Sequence, residues 1–398
     1  MSADLVLLAR RHWTGTLLLI AATGGVFASG LVLQLLAIRW LDGAEYARFV
    51  LAIGLGNAAG MVAAIVSPVV AEQAANGRAR PLPASPRVVA LWGIGAGGVL
   101  VALLGFSTDP GLAALAVLQV PLVFAIAVGT GGLQGEIRVS ATALSTTVWA
   151  ATRLGIAVGL ALAIVRDDRM FVLGLVLALA CQVATLRALG AFRRIEWVPN
   201  VDVRGLLRQY ATWLTFGWIV NADVIVAPLL LPDGAAGDYA LALTLGRQAI
   251  YLVAPVAFVL LPISWSRPPW QQRSLLLGVC ALGAAVTVAM VLVLTPAPGA
   301  VVELLRPDEP LADSMLVRLY ALIGGVGAFA TLLFVLGAGT RSMPSLRALF
   351  AFGLTLGVAL VLIGRDSRGL AVTQLLALAT IAAWLWRLDW RATSPSPR

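Results

Sequence analysis

The chain has 398 residues, of which 60% are hydrophobic and only 12% charged; its net charge of +9 is carried by twenty-eight arginines and no lysine. A soluble domain is about half apolar and a quarter charged, so a mean hydropathy of +0.94 excludes a sizeable soluble domain. Two cysteines and one histidine, His12, argue against a disulfide scaffold and against a histidine-based metal or catalytic centre.

In chain order, Leu5–Leu8 with Arg10, Arg11 and Trp13 reads as an interfacial lead-in. The apolar run from Thr16 to Ile38 is longer than the h-region of a cleaved signal peptide. A spanning helix needs about 20 apolar residues. Twelve segments qualify: 16–38, 48–71, 88–106, 112–133, 140–165, 170–190, 211–231, 239–263, 275–295, 315–339, 348–363 and 369–386. The predicted fold class is therefore all-α, a polytopic integral membrane protein. Most turns between spans are short, and the largest, Pro296–Asp313, reads as a solvated turn or short surface helix.

The arginines orient these spans, because Lys and Arg resist translocation and mark cytoplasmic loops. With the N-terminus inside, and with Arg48 and Arg187 at span ends counted with the adjoining loops, eighteen arginines fall on cytoplasmic segments and seven outside, while Arg153, Arg247 and Arg318 lie within spans. Both termini are thus expected in the cytoplasm. A pI near 10.8 would suggest nucleic acid if the charge formed one patch; scattered between spans, it is topology charge, and no nucleic-acid partner is expected.

The longest basic linker, Phe192–Arg208, divides the spans six and six. The predicted domains are an N-lobe over 1–194, a cytoplasmic linker over 195–208 and a C-lobe over 209–398. A repeat supports the division. Trp40-Leu-Asp42-Gly43-Ala-Glu45-Tyr46 precedes the second span, and Leu231-Pro-Asp233-Gly234-Ala-Ala-Gly-Asp238-Tyr239 precedes the eighth. Pro68 and Pro262 follow the two tyrosines at nearly equal distances. An even number of spans separates the copies, so the repeat is parallel rather than inverted.

The stretch Leu35 to Gly60 resembles the first-loop signature of polysaccharide and O-antigen (Wzx-type) flippases. These belong to the multidrug/oligosaccharidyl-lipid/polysaccharide exporter superfamily. Gly131-Gly-Leu-Gln134-Gly135 with Arg138, Arg153-Leu154, and Asn221-Ala-Asp223 through Tyr239 to Pro262 are similar to other regions of that family. Ala47 and Ala240 stand where the family has glycine, and the chain is short. The resemblance implies two six-helix lobes around a central cavity, in a bacterial cytoplasmic (inner) membrane. It implies a flippase that moves an undecaprenyl-diphosphate-linked oligosaccharide outward by alternating access, for cell-surface polysaccharide synthesis. The implied partners are that lipid-linked glycan, the phospholipid bilayer, a polysaccharide polymerase and glycosyltransferases, with the chain acting as a monomer. No enzymatic activity and no cofactor are implied, and the absence of a G-x-x-x-x-G-K-[ST] element argues against ATP hydrolysis.

An ionisable residue inside a span is costly and marks a functional candidate. Arginine suits a diphosphate because its planar fork donates paired hydrogen bonds. The expected substrate contacts are Arg247 and Arg153 deep in spans, Arg318 near a span end and Arg39 beside the first external turn. For Arg247 the alternative is a structural pair with Asp223 or Asp238. For Arg153 it is a helix-packing bond to a carbonyl, for Arg318 snorkelling to the interface, and for Arg39 an interface anchor. Asp223, the one acid deep in a span, is a candidate coupling site for a proton or cation, with Asn221 beside it. At i and i+2 these two diverge by about 200° and do not share a helix face. Two further functions compete. A multidrug or small-molecule exporter of the same superfamily would want acids in its cavity. A membrane glycosyltransferase or ligase would need catalytic acids or a large external loop.

Overall fold

The computed structural model describes residues 3–75, 80–81, 109–136, 138–162, 167–192, 195–196, 203–266, 269–305, 313–340, 344–364 and 366–393. It is all-helical. The first half holds α1 (Ala3–Trp40), α2 (Gly43–Ala75), α3 (Pro110–Gly135), α4 (Val139–Leu162) and α5 (Asp168–Ala188). The rest holds α6 (Val203–Leu230), α7 (Asp233–Ser266), α8 (Pro269–Leu294), α9 (Pro298–Leu305), α10 (Ser314–Thr340), α11 (Leu346–Ile363) and α12 (Ser367–Thr393). Among the described residues the only strand pairing is β1 (Arg80–Pro81), parallel to β2 (Ile195–Glu196). Nine helical stretches of the described residues are long and apolar enough to cross a membrane. Eleven of the twelve predicted spans fall on long helices. The remaining one, 88–106, lies outside the described residues, as does 306–312 of the 296–313 loop, whose earlier part forms α9.

Local chemistry sets the helix ends. The Asp-Gly turn before α2 is a capping box: Asp42 Oδ1 accepts from the Glu45 amide (2.7 Å) and Glu45 Oε2 from the Asp42 amide (3.3 Å). Asp109 caps α3, whose first residue is Pro110, where the missing N–H costs nothing. After α5, Gly190 takes φ 73°. There the Ala191 amide donates to Leu186 and the Gly190 amide to Arg187. This left-handed stop satisfies the last carbonyls.

The chain forms two compact units, Met1–Trp40 with Ala52–Gly217, and Leu41–Leu51 with Trp218–Arg398. In the first, α1 packs on α4, and α5 on both α3 and α4. A side-chain carbon at Gly131 would lie 2.9 Å from Ser67 Cα, so α2 and α3 meet backbone to backbone. In the second unit α10 is the hub, with α7, α8 and α12 around it; its span is 83% buried. α8 and α11 instead turn side chains such as Leu292, Phe350, Leu354 and Leu362 outward, as lipid-facing helices do. α7 and α10 touch at Gly246 and Gly324, where a Cβ on either would overlap the other helix's backbone. The two Asp-Gly turns meet inside this unit as well. Gly237 abuts Gly43, and the Tyr46 hydroxyl donates to Thr244 Oγ1 (2.7 Å).

Each unit also carries an arginine–aspartate clasp at corresponding helix starts. Arg169 Nε at the start of α5 donates to Asp109 Oδ2 before α3 (2.6 Å). Arg368 Nε at the start of α12 donates to Asp313 Oδ2 before α10 (2.6 Å). In both, an aspartate two residues earlier accepts from the arginine's amide: Asp167 for Arg169, Asp366 for Arg368. Burial raises the Asp109 carboxyl, but the Arg169 guanidinium and two helix amides outweigh it and hold it below its ordinary value. The hydrogen bond from Arg368 likewise holds Asp313 down.

Candidate functional site

The polar centre of the second unit is built from α6, α7, α10 and α12. Asn221 and Asp223 on α6 and Arg247 on α7 are all buried, Asp223 completely. Pro228, one turn on in α6, lacks the N–H that would pair with the Val224 carbonyl. Arg247 Nη1 donates to Asn221 Oδ1. Its Nη2 donates to Asp223 Oδ1 (2.7 Å) and to the Val220 carbonyl (2.9 Å). Asp223 also accepts from the Tyr320 hydroxyl on α10 (2.6 Å) and from the Val224 amide (2.9 Å). From α12, Gln374 Nε2 reaches the Ile219 carbonyl (2.9 Å) and the Val220 carbonyl (3.3 Å). The Tyr239 ring stands edge-on to Tyr320, centroids 5.2 Å apart. A Cβ at Gly246, the neighbour of Arg247, would overlap the Tyr320 carbonyl, so glycine lets α7 and α10 approach at this point.

The pair Asp223–Arg247 is thus the partnership weighed for Arg247 on sequence grounds. A carboxylate and a guanidinium with 0% and 6% of their side-chain surface exposed tolerate burial only when paired and hydrogen-bonded. Asn221 and Asp223 are two residues apart on α6, and one guanidinium joins them, Nη1 on Asn221 and Nη2 on Asp223. Two atoms in this buried neighbourhood have no hydrogen-bond partner among the described residues: Arg247 Nε and Gln374 Oε1.

The other expected residues are not members of this cluster. Arg153 is half-buried on α4 of the first unit. Its Nη1 donates to the Val26 carbonyl (3.4 Å), and its guanidinium lies 5.3 Å from the Trp149 ring centroid. A Cβ at Gly30 would come within 2.9 Å of Arg153 Nη2, so glycine makes the room this side chain occupies on α1. Arg39, in the last turn of α1, and Arg318, in the second turn of α10, are exposed. The residues missed from sequence are Tyr320 and Gln374, with Tyr239 and Thr244 contributing to the surroundings. A signal existed for one of them. The chain has only five tyrosines, and a tyrosine hydroxyl at span depth must find a partner.

No family model matches the chain, and no curated protein matches its sequence. Its structure does have relatives. It aligns with an outward-facing conformation of a multidrug resistance MATE family transporter of the MOP superfamily at TM-score 0.61, 12% identity and 95% coverage of each chain. It aligns with a mutant of the Vibrio cholerae MATE transporter VcmN at TM-score 0.59, 14% identity and 98% coverage of each chain. An inward-facing multidrug resistance MATE family transporter matches at TM-score 0.55, 13% identity and 94% coverage of each. At such identities the likeness is one of fold. The chain has the all-helical, multi-pass architecture of MATE-family transporters of the MOP superfamily.

Proposed function

We propose that this protein transports an anionic, lipid-anchored solute across a bacterial cytoplasmic membrane, as a flippase for an undecaprenyl-diphosphate-linked oligosaccharide working by alternating access. The observation that carries the reading is the contrast between its two mid-span arginines. Arg247 is enclosed and bonded to a carboxylate, whereas Arg153 is half-buried beside a glycine, a carbonyl and an indole face. A guanidinium at span depth held this way is suited to a diphosphate passing through hydrocarbon. The deep acid that a cation carrier would use, Asp223, already accepts from Arg247 and Tyr320. In this reading Arg153 is the leading substrate contact, Arg318 and Arg39 are secondary ones, and Arg247 contributes by holding Asp223. Asp223 with Asn221 is the coupling position, where a proton would compete with Arg247. Polysaccharide polymerase and glycosyltransferases are the natural neighbours, the chain acts as a monomer, and both termini face the cytoplasm.

A second reading, export of drugs or other small molecules, is favoured by the multidrug resistance transporters among the structural relatives. One reconstitution separates the two. Proteoliposomes holding the wild-type chain, Arg153→Ala or Arg247→Ala are given a fluorescent undecaprenyl-diphosphate oligosaccharide or a cationic dye. The flippase reading expects lipid flipping that Arg153→Ala abolishes while the protein still inserts. Undiminished flipping by both variants, or dye transport alone, sinks it.

A further inference from the structure

We infer that the Asn221–Asp223–Val220 cluster is a monovalent-cation cage whose occupant is the chain's own Arg247 guanidinium. Three oxygens of different kinds converge on that one group: the Asn221 amide oxygen, the Asp223 carboxylate and the Val220 main-chain carbonyl. This is the donor set that hard cations prefer. Two neighbours fit the same chemistry. The Tyr320 hydroxyl holds the second carboxylate oxygen, and Gln374 Oε1, fully buried and without a hydrogen-bond partner among the described residues, belongs to a side chain that shares the Val220 carbonyl with Arg247. A buried carboxylate needs one compensating positive charge. Here that charge is tethered to α7, so none has to be taken from solution.

The consequence concerns ligand class. With Arg247 present the cage is closed to sodium and potassium. With the arginine truncated, the same oxygens and the same negative charge accept a free cation of matching shape, guanidinium foremost because its flat fork reproduces the lost donors. The inference concerns this cluster alone and holds whichever solute is carried.

The test uses the full-length protein in detergent and reads the melting temperature by intrinsic fluorescence. Arg247→Ala is titrated with guanidinium chloride below denaturing concentrations, with urea and potassium chloride as controls. The expected result is a lowered melting temperature that rises again with the logarithm of guanidinium concentration, as for a ligand that binds the native state. Wild type should show no such rise, and Asp223→Asn added to Arg247→Ala should remove it. No rise in the single variant, or an equal rise in the double variant, overturns the inference. If Arg247→Ala does not accumulate, the wild type still decides. Its melting temperature should be the same in sodium chloride and choline chloride, and it should bind no radiolabelled sodium at this site. Saturable sodium binding that Asp223→Asn abolishes overturns the inference as well.

Discussion

Replacing Asp223 by asparagine should be among the most damaging single changes available in the second unit. The substitution keeps the volume and leaves Arg247 buried with 6% of its side chain exposed and no carboxylate. Removing one partner of a buried ion pair costs about 3–5 kcal/mol, and domains of 150–250 residues lose about 2–4 °C per kcal/mol. Together these give a fall of about 6–20 °C in melting temperature. The assay is thermal unfolding of the detergent-solubilised protein, followed by tryptophan fluorescence. Asp223→Leu combined with Arg247→Met removes both charges and should recover most of the loss, because an apolar substitute for both partners is close to neutral. An uncharged interhelical hydrogen bond in a membrane is worth only about 0.6 kcal/mol. A single-variant loss that small, or a double variant as unstable as the two singles added together, would refute the view that an enclosed ion pair holds these helices.

Three other outcomes follow from the geometry. Tyr320→Phe removes one of the donors on Asp223 and should cost about 1–3 kcal/mol, measured in the same unfolding assay. Gly324→Ala places a methyl group into the Gly246 carbonyl. It should cost about 1–3 kcal/mol through overpacking, and proteoliposome transport should fall with it; unchanged stability and transport would mean that α7 and α10 separate readily. The clasps predict a pH dependence. The folded carboxyls of Asp109 and Asp313 titrate below their ordinary value, so their stabilisation is complete above that value and is lost as pH falls through the folded one. Asp109→Asn and Asp313→Asn should therefore melt slightly below wild type at neutral pH, with the gap closing below about pH 4. The exposed arginine partners keep the effect small, and a gap that widens in acid would contradict the assignment.

Much of the helix framework could be read from hydropathy. The predicted span 315–339 emerges as Ser314–Thr340, and 348–363 as Leu346–Ile363. Helices α2 and α7 run past their apolar cores, to Ala75 and Ser266, because backbone hydrogen bonding continues where the membrane stops. The site was legible only in part. Arg247 and Asp223 stand out as charges inside spans, and their pairing was one of two readings available. Tyr320 and Gln374 were not legible, since their partners lie 97 and about 150 residues away in sequence, and nothing in an apolar helix says which face meets which neighbour. The clasps were legible and missed. Asp167-Asp-Arg169 and Asp366-Ser-Arg368 are a matching pair of Asp-x-Arg stretches. They stand at the starts of α5 and α12, and hydropathy ignores such polar ends.

The two mid-span arginines rest at matching addresses. Gly30 stands twelve residues before Asp42, and Asn221 twelve before Asp233, so the two occupy matching positions counted from the repeated turn. A guanidinium lies against each of them, but Arg153 arrives from α4 and Arg247 from α7. The company differs: Arg247 meets an amide oxygen and a carboxylate, and Arg153 the Val26 carbonyl and the Trp149 ring. The same address therefore makes opposite demands on the residue that stands there, an acceptor at Asn221 and bare room for a guanidinium at Gly30.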